Sequence, residues 1–349
     1  MRAFPVARSD AIERIEWLGE QIPYPAADIR GDTYPMTWAA DGQIYASSGD
    51  PNWGPSPWGL DVERFVGDPP DYRIEQVNPM VDFTGWGGWG PKPAGMISVK
   101  GVLYLAVQNL QGKKPPVYGS KSQNGTDAHV FASTDLGKTW SPSVWATPFH
   151  PMFPGHRFGG PAFVNFGQDN AQARDEYVYA VSSDQWDNGS HLLLGRVHQD
   201  KIQDPAAWQW VRQLDDAGGP KWTSELGAAR AVLSDDRWIS TPEMVYLKGI
   251  SRYLLLTWRL NEDFSPTDGS RLIIYDAPQP WGPFTLAHYE EVWQTQDMNC
   301  YCPRIPLKWI EPDGLTGWLQ FSGSWASMTG GGLSPHYRSH VRRFRVQMK

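Results

Sequence analysis

The chain has 349 residues, 20% of them charged, and a formal net charge of −7. That acidic balance leaves no basic footprint for nucleic acid, and no apolar run approaches the roughly 18 residues needed to cross a bilayer. With 19 tryptophans, 35 glycines and 30 prolines, the composition is turn-dense and aromatic, which points to an all-β protein large enough for a sizeable core.

Met1 to Asp10 lacks the apolar core of a secretory signal. The compartment stays open, secretion or periplasmic residence through a leader outside this sequence included. Ile12 to Leu18 reads as a strand. Arg30 to Asp50 reads as a β-hairpin, with strands from about Thr33 to Ala39 and Gln43 to Ser48 and a turn at Asp41-Gly42, a pair suited to positive φ. Its antiparallel strands project Asp32 and Asp50 from one end. Two carboxylates at one mouth suit acid–base chemistry, although aspartates at strand ends are common on surfaces.

The hairpin pattern recurs at Gly95 to Gln108 (turn Lys100-Gly101), Gly160 to Asp184, Pro242 to Arg259, and Pro303 to Gly323 (turn Asp313-Gly314). Each is followed by a third strand and usually a fourth. Clear third strands are Ala128 to Ala132, His191 to Val197 and Ser270 to Asp276. Five units spaced by about 60 to 80 residues predict a five-bladed β-propeller, one domain over 1–349, with the N-terminal strand closing the ring as the outer strand of the last blade. Pro35, Pro161, Pro242 and Pro303 fall at or near first-strand starts, where an edge lining a channel tolerates a missing donor.

In a four-stranded meander, first-strand starts and second-strand ends share a face. That face collects Asp32, Tyr34, Asp50, Gln108, Asn109, His156, Arg157, Asp184, Trp186, Glu243, Trp258, Arg259, Tyr301, Arg304, Ser324 and Trp325. Long loops join it: Asp82 to Pro93 with Trp86 and Trp89 among glycines, Leu110 to Asp127, and Arg212 to Arg237. Trp86 and Trp89 are either stacking platforms for sugar rings or lids packed on the scaffold. Acids, arginines, amides and tryptophans, with Trp53 added, around one mouth suit a carbohydrate, and a glycosidase needs two carboxyl groups flanking the bond. No ligand spacing argues for a metal: no cofactor is expected, and a structural calcium in the channel is left open. Cys300 and Cys302 sit too close in sequence for an unstrained disulfide.

The opposite face carries Ser133-Thr-Asp135-Leu-Gly137-Lys-Thr139-Trp140, which resembles the Asp box of sialidases and other sugar-processing propellers. Asp135 there is expected to bond its own turn, not to catalyse. With the Asp276 to Phe284 turn and the Gly-Asp-Thr…Ser-Gly-Asp opening, the chain resembles the five-bladed propeller glycoside hydrolases, the arabinanases and xylosidases among them. Within these it resembles an uncharacterised-domain family associated with endo-acting D-arabinanases. The resemblance implies Asp32 as catalytic base and Glu243 as acid. Glu243 falls on the fourth unit, where the family usually has the acid on the third. The family's tuning aspartate has no counterpart at Gly95-Met96, so Asp50 or Asp184 would substitute.

If Asp32 and Asp50 are themselves the catalytic pair, Glu243 becomes a substrate-binding residue. Substrate contacts are expected from Tyr34, Trp53, Trp86, Trp89, Gln108, Arg157, Asp184, Trp186, Arg259 and Trp325. The leading expectation is an inverting glycosidase acting on a poly- or oligosaccharide, arabinan-like or otherwise furanose-rich. A lyase acting on uronates through Arg157, Arg259 and His156 or a tyrosine is the first alternative, and a non-catalytic glycan binder the second. Oligomeric state is left open.

Overall fold

The computed structural model describes residues 2–349 except 27, 52–58, 113, 119–121, 144–149, 261–268, 296–297 and 325–333. Among the described residues every regular element is a β-strand or a three-residue 3₁₀ turn, and no helix is long and apolar enough to cross a membrane.

The chain opens with β1 (Ile12–Trp17) and β2 (Ile22–Pro23), followed by a sheet of β3 (Met36–Trp38), β4 (Ile44–Ala46), β5 (Val62–Val66) and β6 (Arg73–Asn78), paired in that order. Next come β7 (Lys92–Val99), β8 (Val102–Gln108) and β9 (His129–Ser133), again paired in sequence. A third sheet orders β10 (Ala162–Phe163), β11 (Tyr177–Ser183), β12 (Gly189–His198), β13 (Gln209–Leu214) and β14 (Pro220–Thr223), with β15 (Leu233–Ile239) added to β12. The last runs through β16 (Glu243–Leu247), β17 (Arg252–Arg259), β18 (Ser270–Ala277) and β19 (Thr285–Thr295). It continues through β20 (Met298–Arg304), β21 (Thr316–Gly323) and β22 (Ser339–Met348) to β1, which pairs antiparallel with β22 from Ile12↔Met348 to Trp17↔Phe344.

The expected hairpins are present. Lys100 (φ 52°) and Gly101 (φ 78°) supply the left-handed pair that a two-residue hairpin turn requires. Two expectations change. The strand from Thr33 is cut to Met36–Trp38, because Thr33 (φ 65°) and Tyr34 (φ 40°) both turn left-handed just after Asp32. The stretch 212–237 is not one long loop: it contains the hairpin β13–β14 and the start of β15, joined by the Leu226–Ala228 turn.

Apolar side chains pack between consecutive strand groups. Val62, Met96, Leu105 and Phe131 fill the space between the first two, and Ile97, Ala106, Phe158, Val178 and Trp208 the next. Val181, Leu192, Leu255 and Tyr275 lie between the third sheet and β16–β18. Leu254, Trp258, Ile274, Trp293, Phe321 and Phe344 join β16–β19 to β21 and β22. Met36, Phe65, Tyr72, Trp309 and Val341 bring the last group back against the first.

The first strands of the groups meet at the centre. Asn165 donates to the carbonyls of Met36 (3.4 Å), Met96 (3.3 Å) and Phe163 (3.3 Å), and accepts from Thr37 Oγ1 (2.9 Å). One half-buried amide thus ties three inner strands.

Candidate active site

The left-handed residues after Asp32 create the site. Asp32 and Gly49 exchange both backbone hydrogen bonds (3.0 and 2.8 Å), the last rung between the strand entering the first sheet and the strand leaving it. Beyond that rung Thr33 and Tyr34 turn one strand and Asp50 (φ 47°) the other. Both carboxyls reach one cavity of about 330 Å³, walled also by Thr33, Trp86, Lys92, Gln123, Trp186 and Tyr337.

Asp32 is 6% exposed. Its Oδ2 accepts from Tyr301 Oη (2.9 Å), while Oδ1 is buried against Gly49 with no hydrogen-bond partner. A β-carbon at position 49 would collide with that oxygen, so glycine there leaves the carboxyl its place. Burial first, and then the neighbouring Asp50 charge, push the Asp32 carboxyl up to about 7, against the opposing pull of Tyr301 and Lys92. An unpartnered, desolvated oxygen is far cheaper to hold in a neutral acid than in an anion.

Asp50 is equally buried but differently partnered. Lys92 Nζ stands 2.9 Å from its Oδ1, and the Gly87 amide donates to both oxygens (3.1 and 3.0 Å). Burial raises this carboxyl too, but Lys92 and then Gly87 oppose the rise. Lys92 is itself fixed by the carbonyls of Pro91 (3.1 Å) and Gly85 (3.3 Å). Asn109 Nδ2 holds the glycine-rich segment through Gly88 O (3.1 Å) and Gly90 O (3.0 Å). The pair is asymmetric: one carboxyl favours its proton, while the other keeps a cation beside it.

Two indoles border the cavity. Trp86 is 44% exposed, a flat apolar face at the mouth. Trp186 is nearly enclosed and stands edge-on to Trp258 (5.0 Å) and Tyr301 (5.9 Å). A bulge in β20, marked by Cys302 (φ 51°) and a register shift between Tyr301 and Arg304, aims Tyr301 at Asp32 and Arg304 at the Thr33 carbonyl (2.9 Å).

Glu243, expected as the acid, is not brought into this cavity. Its Oε1 accepts from the Ile305 amide (2.7 Å), and Oε2 lies 3.5 Å from Arg304, itself 1% exposed and bonded to Thr33 O and Pro242 O. The reason is local: Glu243 opens β16, and the donors it meets, the Ile305 amide and the Arg304 guanidinium, lie at and just past the end of the bulged β20. Burial raises its carboxyl and Arg304 opposes the rise.

Tyr34 is fully enclosed, edge-on to Phe65 (6.0 Å), and does not face the cavity. Gln108 is also buried, behind Gly125 and Gly160. Arg157 and Asp184 line a separate cavity, and the Arg259 guanidinium lies over Trp238 (4.4 Å). Trp53 and Trp325 fall outside the described residues, as does the side chain of Trp89.

Sequence reasoning missed Lys92, Gln123 and Tyr337 as cavity residues. Lys92 carried a faint signal, a lone cation between two prolines directly after the glycine-rich run. Cys300 and Cys302 are buried free thiols. Among the described residues, no group of three or more His, Cys, Asp or Glu side chains is placed to hold a metal ion.

The fold is shared with solved structures. An α-L-arabinofuranosidase from Podospora anserina, crystallised with cellotriose, matches with a TM-score of 0.54 at 13% identity, over 97% of this chain and 99% of that one. The catalytic domain of an α-L-arabinofuranosidase from Coprinopsis cinerea matches with a TM-score of 0.54 at 12% identity, over 96% and 98%. At such identities the likeness is one of fold alone. No protein-family model matches the chain, and no curated protein matches its sequence.

Proposed function

We propose that the chain is a glycoside hydrolase that cleaves a furanose-rich, arabinan-like glycan, with Asp32 and Asp50 as its catalytic pair. The observation that carries this reading is the asymmetry of two adjacent carboxyls in one tryptophan-bordered cavity: burial first, then Asp50, push Asp32 up to about 7, and Asp50 has Lys92 at 2.9 Å. Asp32 is then the general acid that protonates the leaving oxygen, and Asp50 the ionised partner at the anomeric carbon. The scaffold in this reading is one domain, a five-bladed propeller closed by β1 against β22. The pairing of β1 with β22 and the apolar cluster returning the last group to the first support it.

The stereochemical outcome depends on the spacing of the two carboxyls. Asp32 pairs with Gly49 across the last rung and Asp50 directly follows Gly49, so the two carboxyls leave neighbouring backbone positions and line one cavity. Carboxyls about 5 Å apart suit double displacement, whereas inversion needs roughly 6.5–9.5 Å to admit water. We propose retention, the outcome a close pair would give, in place of the inversion expected by analogy: Asp50 attacks the anomeric carbon, Asp32 protonates the departing oxygen, and Asp32 then activates the water that releases the sugar. Glu243 acts at one remove, holding Arg304, whose guanidinium fixes the Thr33 carbonyl beside Asp32.

Incubation with arabinofuranose polymers, followed by reducing-end assay and proton NMR of the first product, tests the reading. Reducing ends with the starting anomeric configuration support it. Products of inverted configuration would overturn the Asp32–Asp50 mechanism, and cleavage unaffected by Asp50→Asn would overturn the site.

A further inference from the structure

We infer that a second cavity, about 450 Å³ in volume, is an oxyanion subsite for a carboxylate or phosphate carried on a sugar. Its walls include Arg157, Arg230, His156 and His191, with Tyr118 and Asp184 at the back. Arg157 donates one Nη2 hydrogen bond to Ala229 O (2.8 Å), which fixes the guanidinium and leaves Nε and Nη1 for a ligand. His191 shares its Nδ1 with Ser234 Oγ (3.0 Å), leaving Nε2. Among the described residues, the side chains of Arg230 and His156 have no hydrogen bond or ion pair. A planar guanidinium fork with unused donors matches a carboxylate or phosphate better than it matches a neutral hydroxyl.

The carboxylate in the wall does not compete for those donors. Asp184 is 6% exposed. Its Oδ1 accepts from the amides of Ser190 (2.9 Å) and His191 (3.1 Å), and its Oδ2 from Tyr118 Oη (2.5 Å). Asp236, the other acid nearby, is exposed and accepts from Ser190 Oγ (3.0 Å). Neither is bonded to Arg157 or Arg230, so the cations face the cavity with their charge uncommitted.

The two cavities share a wall. Tyr118 and Asp184 line this one, Gln123 and Trp186 the other, and the segments are tied by Ser122 Oγ to Tyr118 O (2.8 Å) and Trp186 N to Gln123 O (3.3 Å). A glycan crossing that wall would be cut in one cavity and held by an acidic substituent in the other, so the natural substrate would carry negative charge. This last step rests on the catalytic reading; the anion subsite does not.

The test is calorimetric titration of the full chain with methyl β-D-glucuronide, methyl β-D-glucoside and inorganic phosphate. The glucuronide is expected to bind in the millimolar range and the glucoside at least tenfold more weakly. Arg157→Ala and Arg230→Ala, both exposed and expected to leave the melting temperature unchanged, should each weaken the glucuronide about tenfold. Asp32→Asn should leave that binding untouched, which separates failure of this subsite from failure of the catalytic reading. Equal binding of glucoside and glucuronide, or no effect of either arginine change, would overturn the subsite. Phosphate binding without glucuronide binding would overturn the sugar-borne anion in favour of a free one.

Discussion

Asp32 and Asp135 are both aspartates just off strand ends, yet their surroundings drive them in opposite directions. Asp135 is a half-buried residue whose carboxylate collects the Thr139 amide (2.9 Å), the Thr139 hydroxyl (2.7 Å) and the Ser133 hydroxyl (2.8 Å), and these donors pull it down to about 2. Gly137 (φ 89°) lets the turn close, and Trp140 Nε1 seals it on Gly137 O (2.9 Å). Asp32 has the Tyr301 hydroxyl on one oxygen, a wall of protein around it and a second carboxyl beside it. A satisfied carboxylate stabilises a turn; an under-satisfied one is a reservoir for a proton.

Substitutions sharpen that contrast. Asp32→Asn should lower turnover by roughly 10²–10⁴-fold, the usual contribution of a general acid. Asp135→Asn should leave turnover unchanged, as steady-state kinetics on the same polymer would show. A comparable loss in both would erase the distinction between the two sites.

Removing the cation is the next largest change. Lys92→Met leaves Asp50 buried without its counter-charge, which should cost about 3–5 kcal/mol in chemical denaturation. It should also raise the Asp50 carboxyl, moving the acid limb of the pH–rate profile upward. Asp135→Ala should cost only about 1–2 kcal/mol, the worth of a capping set of hydrogen bonds.

Stability should respond to pH in opposite senses at the two positions. In the folded chain Asp32 keeps its proton to about 7, while the unfolded chain releases it near 3.8. Between those values the unfolded state binds fewer protons, so this contribution falls as pH rises from about 4 to 7, by up to about 1.4 kcal/mol per pH unit. Asp135, depressed in the folded chain, contributes above 3.8 and loses that contribution as pH falls toward 2. Denaturation midpoints of wild type and Asp32→Asn between pH 4 and 7 should therefore diverge, with the variant free of the downward slope.

The repeating hairpins were legible because Asp-Gly and Lys-Gly turns and alternating apolar residues are local signals. The site was legible only in part. Asp32 and Asp50 stood out as two acids at one hairpin end, but their asymmetry depends on Lys92, Tyr301 and Tyr337, which approach from distant parts of the chain. Glu243 looked like the missing acid from its place at a strand start. Only the bulge in β20, which aims Arg304 at it, shows that its carboxylate is already engaged. Tyr34 looked like a mouth residue from its position at a strand start, and the left-handed Thr33-Tyr34 turn buries it.

The most direct test is the titration of the Asp32 carboxyl itself, followed by carbon-13 NMR of labelled aspartate in the wild type and in Asp50→Asn. The account predicts a midpoint near 7 in the wild type that moves down when the neighbouring charge is removed. A midpoint near 4 in both proteins would contradict it.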